Sequence, residues 1–357
     1  MKKVVILGSG KIGRMVGFLL GTSGDYAVQV GDLNAAGAHD AAAICGGTHG
    51  VVDLTNQAGI AEFIKGAWAV VSCAPFHCNP GIATCARAAG AHYLDLTEDV
   101  HVTRKVVELA KGASTAFVPQ CGLAPGFITI VANDLAKPLT RIDDLRLRVG
   151  ALPMHPSNAL GYNLTWSTEG VINEYINDCD AVMDGRMVAV PALEHLERLV
   201  IDGVEFEAFN TSGGLGTLAE SLKGRVRNLN YKTIRFPGHC ALMRFLLQEL
   251  RFAEHRDQMR EVLERSIPAT ADDQVVIFVS ATGRLDGRLV ERVYAKRVCA
   301  QSIGGHHWTA IQITTAAGIC AAIDLFAQGK TPSKGLVRME DISLADFIGN
   351  RFGRHYA

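Results

Sequence analysis

Short apolar runs alternate with alanine-rich segments of helical spacing through the first third of the chain. Strands separated by helices in this way form a parallel sheet with helices on both faces. The pattern therefore predicts an α/β fold with a doubly wound parallel sheet, whose binding crevice lies at the carboxyl ends of the strands. The predicted strands are Val4–Leu7, Tyr26–Gly31, Gly50–Asp53, Ala67–Cys73, Tyr93–Leu96 and Thr115–Val118.

The pattern changes after a cluster of breakers, Gly122-Leu-Ala-Pro-Gly126, which we interpret as a hinge. The strand-like runs beyond it predict an α+β domain with a mostly antiparallel sheet covered on one face. Trp308–Gln328 predicts a helix that returns to the first domain. We expect one domain at 1–122 and 303–357 and an inserted domain at 123–302. The predicted strands of the inserted domain are Leu145–Val149, Tyr162–Thr165, Gly203–Phe209, Tyr231–Phe236, Val275–Ala281 and Arg288–Val298.

The turn after the first strand has the pattern G-x-G-x-x-G, in the strand–turn–helix context that dinucleotide binding requires. The first glycine permits the tight turn, the second lets the backbone approach a pyrophosphate, and the third lets the helix lie close to the sheet. The helix N-terminus then offers its N–H groups to the phosphates, as in a Rossmann domain. The predicted cofactor contacts in this turn are Gly8, Ser9, Gly10, Lys11, Ile12 and Gly13.

An acidic residue, Asp32, closes the second predicted strand. A carboxylate at this spacing hydrogen-bonds the ribose hydroxyls and repels a 2′-phosphate, so the sequence predicts NAD rather than NADP. Other residues at the carboxyl ends of strands face the same crevice. Cys73, Ala74, Pro75 and Asp95 are predicted to contact the cofactor, and Asp95, Cys121 and Gly122 the substrate.

Composition limits the kinds of partner and the cellular compartment that we expect for this chain. The net charge of −1 gives no electrostatic footprint for nucleic acid or an anionic membrane. The first strand begins at Val4, which leaves no room for a leader, and no apolar run approaches the ~20 residues of a membrane span. Nine cysteines without a CxxC pair favour a reduced, cytoplasmic chain. We expect a small-molecule substrate, with further copies of the chain as the protein partner.

Two groups of potential metal ligands are not predicted to bind metal. Cys73, His77, Cys78 and Cys85 fit no paired zinc spacing. His306 and His307 are adjacent, and adjacent residues on a helix point about 100° apart. We interpret the histidine pair as a helix boundary, and we expect no metal.

A second glycine cluster, Thr211-Ser-Gly-Gly-Leu-Gly216, follows a predicted strand. It lacks the Lys-Ser/Thr pair of a triphosphate loop, although a second phosphate loop stays open as an alternative. The hydroxyls of Thr211 and Ser212, with bare backbone N–H groups, suit a substrate carboxylate better.

The remaining motifs form a set that is more specific than the glycine turn. With that turn, the set resembles the saccharopine dehydrogenase-like family over nearly the whole chain, and it is most similar to the lysine 6-dehydrogenase branch. The resemblance implies a Rossmann domain, an inserted α+β domain with substrate contacts and a homodimer surface, and a C-terminal segment that returns to the first domain. The motifs are Ala74-Pro-Phe76 with Tyr93-Leu-Asp95, Cys121-Gly-Leu-Ala-Pro-Gly126, Thr165-Trp-Ser-Thr-Glu-Gly170, and Thr211-Ser-Gly-Gly with Tyr231-Lys-Thr-Ile-Arg-Phe-Pro-Gly-His239.

Oxidation of an amine by hydride transfer needs an uncharged nitrogen, and therefore a proton acceptor nearby. Asp95 and a neutral His239 are the candidates. Asp95 can instead hold a loop through backbone N–H groups, and His239 can instead be a capping or hydrogen-bonded core residue. Cys121 is the third catalytic candidate, since it resembles the family position beside the substrate, with a small buried thiol as the alternative.

The α-carboxylate of lysine calls for a cation, which Lys232 or Arg235 can supply. The two are an odd distance apart on one strand, so without a bulge they point to opposite faces and only one reaches the substrate. Glu169 can pair with the α-ammonium group or stabilise a helix start.

These residues favour NAD-dependent oxidative deamination of L-lysine at the ε-carbon, which gives the 6-semialdehyde and ammonia. A saccharopine or carboxynorspermidine dehydrogenase is the nearest alternative, although its substrates carry more carboxylates. A non-catalytic NAD sensor is the alternative from another class, because fold does not fix function.

Overall fold

The computed structural model describes residues 1–357 and divides into two units, Met1–Phe127 with Gln312–Ala357, and Ile128–Ile311. The sequence predicts the first boundary at residue 122, whereas the structure has it after Phe127. The Phe127 ring stacks on Tyr356 of the first unit, with ring centroids 3.8 Å apart. The second lies beyond residue 302, because the segment 301–308 belongs to the second unit. There, His307 Nε2 is 2.9 Å from the carbonyl oxygen of Ala271.

The sheet of the first unit has seven strands, all parallel, which confirms the doubly wound prediction. Its central strand, Ala69–Ser72, is buried along its whole length and begins with three apolar residues, as expected for a strand covered on both faces. The strands are β1 (Lys2–Leu7), β2 (Tyr26–Asp32), β3 (Thr48–Val51), β4 (Ala69–Ser72), β5 (His92–Asp95), β6 (Ala116–Val118) and β17 (Gly335–Leu336). Their order is β17-β6-β5-β4-β1-β2-β3. Successive strands are therefore added to one side of β1 as far as β3 and to the other side from β4 onward. A nucleotide crevice is expected at the point where this order switches.

Helices connect these strands, and one prediction of position needs correction. β3 ends at Val51 rather than at Asp53, because the Asp53 carboxylate accepts hydrogen bonds from the N–H and hydroxyl of Thr55 and forms a turn. The helices of this unit are α1 (Lys11–Thr22), α2 (Ala35–Cys45), α3 (Gln57–Phe63), α4 (Asn79–Ala88), α5 (Val100–Ala110) and α12 (Leu344–Gly349), with 3₁₀ turns at Phe76–Cys78, Met339–Asp341 and Gly353–Tyr356.

The second unit is built on a mixed sheet in the order β10-β11-β12-β7-β13-β14. The β12–β7 pair is parallel and the other neighbours are antiparallel, while a β8–β9 hairpin attaches to β12. This confirms the α+β prediction. The strands are β7 (Arg141–Pro153), β8 (Cys179–Met183), β9 (Arg186–Val190), β10 (Glu197–Ile201), β11 (Val204–Asn210), β12 (Val226–Arg235), β13 (Asp273–Leu285), β14 (Arg288–Cys299), β15 (Gln301–Ile303) and β16 (His306–Trp308).

Helices pack on one face of this sheet, where Phe209 joins Tyr175, Met243 and Met259 in one buried cluster. The sheet is curled, because Arg297 on the edge strand β14 lies 3.6 Å from Asp202, which follows the opposite edge strand β10. The helices are α6 (Phe127–Ala136), α7 (Thr168–Ile176), α8 (Leu218–Ser221), α9 (His239–Arg244) and α10 (Arg256–Ser266), with a π-helix at Phe245–Glu249 and a 3₁₀ turn at Phe252–Glu254.

Two predicted elements of this region are wrong. Tyr162–Thr165 forms no strand and makes only an isolated bridge from Leu164 to Ala269, because this buried segment bonds to a loop rather than to a sheet edge. His306 and His307 lie on the strand β16, paired with β15, rather than at a helix boundary.

The helix α11 (Ala310–Ala327) begins after that strand and has a mean hydropathy of 1.6 over 18 residues. It is therefore long and apolar enough to cross a membrane, contrary to the sequence analysis, although 78% of it is buried within the protein. Buried core helices share this length and composition, so α11 is weak evidence for a membrane span.

Candidate active site

The glycine turn of the first unit has the space that a dinucleotide needs. Gly8 has φ +106°, a conformation that favours glycine, and a Cβ on Gly13 would lie 1.9 Å from the Gly8 carbonyl oxygen. A Cβ on Gly10 would meet no atom within 4 Å, so the backbone there is open to a ligand. No side chain caps the N-terminus of α1, which leaves its first N–H groups for an anion. The turn therefore fits a cofactor pyrophosphate.

The segment after β4 packs against this turn. The Cys73 N–H donates to the Leu7 carbonyl oxygen at 2.8 Å, and a Cβ on Gly8 would lie 2.6 Å from the Cys73 carbonyl oxygen. Burial raises the pKa of Cys73 to about 12, so the thiol is neutral. Cys73 and the Ala74 backbone thus pack against the turn, and Pro75 precedes the 3₁₀ turn Phe76–Cys78.

The Asp32 carboxylate lies at the end of β2 and is held from the turn itself. Its Oδ2 accepts hydrogen bonds from the Ser9 N–H at 2.6 Å and the Ser9 hydroxyl at 2.8 Å, and its Oδ1 accepts one from the Asn34 N–H at 2.9 Å. Burial raises the pKa of Asp32, but these donors outweigh it and the net shift is downward. The carboxylate is therefore ionised at neutral pH.

A second carboxylate, Asp95, ends β5 and is fully buried. Its Oδ1 accepts hydrogen bonds from the N–H groups of Thr97 and Gln120, both at 3.0 Å, whereas its Oδ2 is buried without a hydrogen-bond partner. Burial raises the pKa of Asp95 to about 6, although those two N–H groups act in the opposite direction. Asp95 therefore holds the loop that follows it through Oδ1, while its Oδ2 is buried without a hydrogen-bond partner. The carboxyl group changes protonation near neutral pH.

Cys121 lies beside Asp95 and is a hydrogen-bond donor. Its N–H donates to the Asp95 carbonyl oxygen at 2.9 Å, and its thiol donates to the Val118 carbonyl oxygen at 2.6 Å. Burial, reinforced by the Asp95 charge, raises the pKa of this thiol well above its usual range. The neutral, hydrogen-bonded thiol fits the alternative of a small buried thiol, and the catalytic role of Cys121 stays a prediction. Gly122 closes the adjoining turn, where it bridges to Gly126.

The second unit contains a buried arginine, Arg235, that has no carboxylate within ion-pair distance. Its Nε donates to the Tyr175 hydroxyl at 2.9 Å, one terminal nitrogen donates to the Ile234 carbonyl oxygen at 2.9 Å, and the guanidinium lies 5.1 Å from the Tyr162 ring centroid. The Tyr162 hydroxyl and Thr165 Oγ1 are buried without hydrogen-bond partners. Burial lowers the pKa of Arg235, but its neighbours, Glu174 among them, outweigh this and the net shift is upward. A buried guanidinium without a direct ion-pair partner is suited to a carboxylate ligand.

His239 lies next to this arginine with both ring nitrogens occupied. Its Nδ1 is 2.8 Å from the Leu160 carbonyl oxygen, which can only accept, so Nδ1 carries the proton. Its Nε2 is 3.0 Å from the Tyr175 hydroxyl, which accepts from Arg235 and therefore donates to the imidazole. Burial, together with the Arg235 charge, lowers the pKa of His239 to about 3. These contacts favour the alternative for His239, a neutral, hydrogen-bonded core residue, and its catalytic role stays a prediction.

Lys232 points to the opposite face of β12 from Arg235, as residue parity predicts. Its Nζ donates to the Glu197 carboxylate at 2.7 Å and to the His195 carbonyl oxygen at 2.6 Å, and the same carboxylate pairs with the buried Arg148. The charge of Lys232 is therefore neutralised in an internal network, which favours Arg235 as the residue of this pair that contacts substrate.

The other predicted substrate contacts lie in two different settings. Thr211 and Ser212 are buried: Thr211 Oγ1 donates to Thr233 Oγ1 at 3.2 Å, and the Ser212 N–H donates to the Glu174 carbonyl oxygen at 3.0 Å. Glu169 is exposed in the first turn of α7, whose N-cap is Ser167. A carboxylate there stabilises the helix dipole, which is the local alternative for Glu169.

Sequence reasoning missed the residues that surround Arg235. Tyr162 lies in a loop, Tyr175 on α7 and Glu207 on β11, and no local motif marks them. Glu207, for example, is buried and accepts hydrogen bonds from the N–H groups of Gly238 and Cys240, which flank His239. No group of three or more His, Cys, Asp or Glu residues anywhere in the structure could hold a metal ion.

Nicotinamide-dependent dehydrogenases are the class that this doubly wound sheet and its nucleotide turn define. Two family models match the chain, the saccharopine dehydrogenase NADP binding domain over residues 4–118 and the saccharopine dehydrogenase C-terminal domain over residues 122–352. The chain belongs to the saccharopine dehydrogenase family, which confirms the resemblance found in the sequence. It is therefore an oxidoreductase of the NAD(P)-dependent amino-acid dehydrogenases.

Solved structures with the same fold include apo saccharopine dehydrogenase (L-Glu forming) from Saccharomyces cerevisiae. That structure has a TM-score of 0.79 and 16% sequence identity, over 98% of this chain and 97% of the other. A myo-inositol dehydrogenase from Corynebacterium glutamicum has a TM-score of 0.47 at 11% identity, over 92% and 88% of the two chains. A probable dehydrogenase from Thermotoga maritima has the same TM-score and identity, over 97% and 94%. The last two contribute nothing to the assignment.

Proposed function

We propose that this protein oxidises the ε-carbon of L-lysine with NAD⁺. A hydride leaves the ε-carbon, the ε-nitrogen loses a proton, and the resulting imine takes up water and releases ammonia, which leaves the 6-semialdehyde. The aldehyde then cyclises onto its own α-amine to give the piperideine carboxylate. A bound nicotinamide supplies the hydride acceptor, and the protein supplies charge, orientation and proton transfer.

The number of basic side chains without an ion-pair partner supports the choice of substrate. Of the three basic residues on β12, Arg227 is paired with Asp184 and Lys232 with Glu197, and only Arg235 has no carboxylate within ion-pair distance. One free guanidinium suits an amino acid with one carboxylate. Saccharopine carries more carboxylates and calls for more unpaired cations, so the pairing of Lys232 supports lysine over an opine.

Asp95 is the proposed proton acceptor. Lysine binds as an ammonium ion, and hydride can leave only after that nitrogen loses a proton. The free Oδ2 of Asp95 and its pKa of about 6 suit this transfer, because the carboxylate is mostly ionised at neutral pH yet can hold the proton.

Asp32 supports NAD as the cofactor, since an ionised carboxylate at this position repels a 2′-phosphate. The family model carries NADP in its description, so the choice between the two rests on Asp32. We also propose a cytoplasmic homodimer. All nine cysteines are free thiols, which supports a reduced compartment, and the family resemblance supports the dimer.

The test is an assay of purified protein with lysine and NAD⁺, in which NADH and ammonia are measured together. The proposal expects both products in equal amounts. Glutamate with the semialdehyde and NADH, run in parallel, detects opine formation, and activity there alone would replace lysine with a secondary amine. Tight NADH binding without turnover of any of these substrates would instead support the sensor.

A further inference from the structure

The hydrogen bonds of Arg235 continue into a chain of donors that runs in one direction. Arg235 Nε donates to the Tyr175 hydroxyl at 2.9 Å, and that hydroxyl lies 3.0 Å from His239 Nε2. A phenol has one proton, so a hydroxyl that accepts from Arg235 donates to the imidazole. His239 Nδ1 in turn donates to the Leu160 carbonyl oxygen at 2.8 Å. The guanidinium can only donate and the carbonyl can only accept, so the direction of every bond between them is fixed.

Packing holds the side chains of this chain in place. Arg235, Tyr175 and His239 are all buried. The His239 ring stacks on Phe209, with planes 10° apart, and the Tyr175 ring meets both of these rings edge-on. Burial, together with the Arg235 charge, lowers the pKa of His239 to about 3, so its Nε2 stays an acceptor at neutral pH. The Tyr175 hydroxyl is therefore held in one orientation, between a donor and an acceptor.

These bonds use one part of the guanidinium and leave the other part for a ligand. Nε donates to Tyr175 and Nη1 to the Ile234 carbonyl oxygen, which leaves Nη2. The Tyr162 ring lies beside the guanidinium, and the Tyr162 hydroxyl and Thr165 Oγ1 are buried without hydrogen-bond partners. Buried donors without partners cost free energy, and a carboxylate that accepts from them recovers it.

We propose that Tyr175, held by His239, is a positioning residue that fixes the plane of the Arg235 guanidinium, so that Nη2 meets the substrate carboxylate. The proposal rests on the proposed use of Arg235 for that carboxylate. A guanidinium binds a carboxylate through a planar fork, so rotation of the plane loses contacts even though the charge remains. Tyr175 acts through the arginine and takes no part in proton transfer. Loss of its hydroxyl therefore weakens substrate binding and leaves the chemical step unchanged.

The experiment is a double-mutant cycle on binding, measured by calorimetric titration of L-lysine into protein saturated with NADH, a pair that cannot react. We expect Tyr175→Phe to raise the Kd for lysine about fivefold, within the range that one hydrogen bond contributes. In the Arg235→Lys background the same substitution should change Kd by less than about twofold, because an ammonium has no plane to orient. Tyr26→Phe is the matched control, since it also removes a buried hydroxyl from a charged network, that of Asp324 and Arg351, and it should leave Kd unchanged.

A second variant separates positioning from proton transfer. His239→Asn removes the acceptor at Nε2 but keeps an amide donor for the Leu160 carbonyl oxygen. We expect Kd for lysine to rise several-fold and kcat to stay near the wild-type value. If His239 were a proton shuttle, kcat would instead fall by about 10²–10⁴. Melting temperatures show whether each variant is folded, and His239→Asn decides alone if Tyr175→Phe does not fold.

Three results overturn the proposal. They are a wild-type Kd in folded Tyr175→Phe, an equal rise in Kd in both backgrounds, as general loosening of the fold would produce, and a fall in kcat without a rise in Kd in His239→Asn. If the wild-type protein binds L-glutamate but not lysine, the proposed substrate is wrong, and the same cycle run with glutamate tests Tyr175. Binding of neither amino acid overturns the carboxylate role of Arg235 and the positioning role together.

Discussion

Replacing Asp95 with asparagine is expected to make the protein more stable at neutral pH and to slow turnover strongly. The side chain is fully buried, and its pKa rises from an ordinary 3.8 to about 6 because burial disfavours the charged form. In the unfolded chain the same carboxyl ionises near its ordinary value. Ionised Asp95 therefore reduces the free energy of unfolding above pH 6.

The size of this effect follows from the shift. At 1.36 kcal/mol for each pKa unit, the roughly two-unit rise corresponds to about 3 kcal/mol at most. The favourable contribution of protonated Asp95 is fully present below pH 3.8 and is lost as pH rises through about 6. Asparagine keeps the Oδ1 acceptor for Thr97 and Gln120 but places an amide at the unpartnered Oδ2, which offsets about 1–3 kcal/mol of the gain.

Denaturant unfolding between pH 4 and pH 8, together with steady-state rates, tests both expectations. The wild-type free energy of unfolding should fall relative to that of Asp95→Asn as pH rises through about 6, while wild-type kcat rises over the same range. Loss of a general base is expected to reduce kcat by about 10²–10⁴. A folded Asp95→Asn protein with wild-type kcat, or a stability difference that does not change with pH, would refute the reasoning.

Three further expectations concern the arginine, the glycine turn and the C-terminal segment. Arg235→Lys should raise KM for lysine by about tenfold or more with NADH affinity unchanged, since a charge-assisted hydrogen bond contributes ~1.5–3 kcal/mol, whereas Arg244→Lys, a surface residue paired with Glu194, should leave KM as it is. Gly13→Ala should lower the melting temperature, because the added Cβ would meet the Gly8 carbonyl oxygen. Gly10→Ala should keep the wild-type melting temperature and weaken NADH binding. Equal melting temperatures for the two variants would contradict this expectation. Asp324→Asn should lower the free energy of unfolding by about 2–4 kcal/mol in urea titrations, because the buried carboxylate accepts hydrogen bonds from Tyr26, Gln328, Asn350 and Arg351; an unchanged midpoint would contradict it.

Local features of the sequence were enough to predict the first unit. The glycine turn and its neighbouring strands follow from residues that are close in the chain, and the parallel sheet follows from the alternation of strands and helices. The opposite directions of Lys232 and Arg235 follow from strand parity alone. Which of the two is free does not, because Glu197 reaches Lys232 from another strand.

The environment of Arg235 could not be predicted in this way. Tyr162 and Tyr175 are far from Arg235 in the sequence, and no periodic pattern relates them to it. Their rings lie near Arg235 only because α7 and the loop that contains Tyr162 pack on the sheet. His239 illustrates the consequence. A histidine after Pro-Gly suggests a proton shuttle in the sequence, but its role depends on the Leu160 carbonyl and the Tyr175 hydroxyl, which occupy both ring nitrogens.

The central claim is that the ε-carbon of lysine donates the hydride, and isotopic labelling tests it most directly. Lysine carrying deuterium on the ε-carbon, incubated with the protein and NAD⁺, is expected to give reduced cofactor that carries deuterium, with one ammonia for each cofactor reduced. Lysine labelled on the α-carbon is expected to give unlabelled reduced cofactor. Deuterium transfer from the α-carbon, or no reduced cofactor from lysine under conditions where the protein binds NADH, would contradict the account.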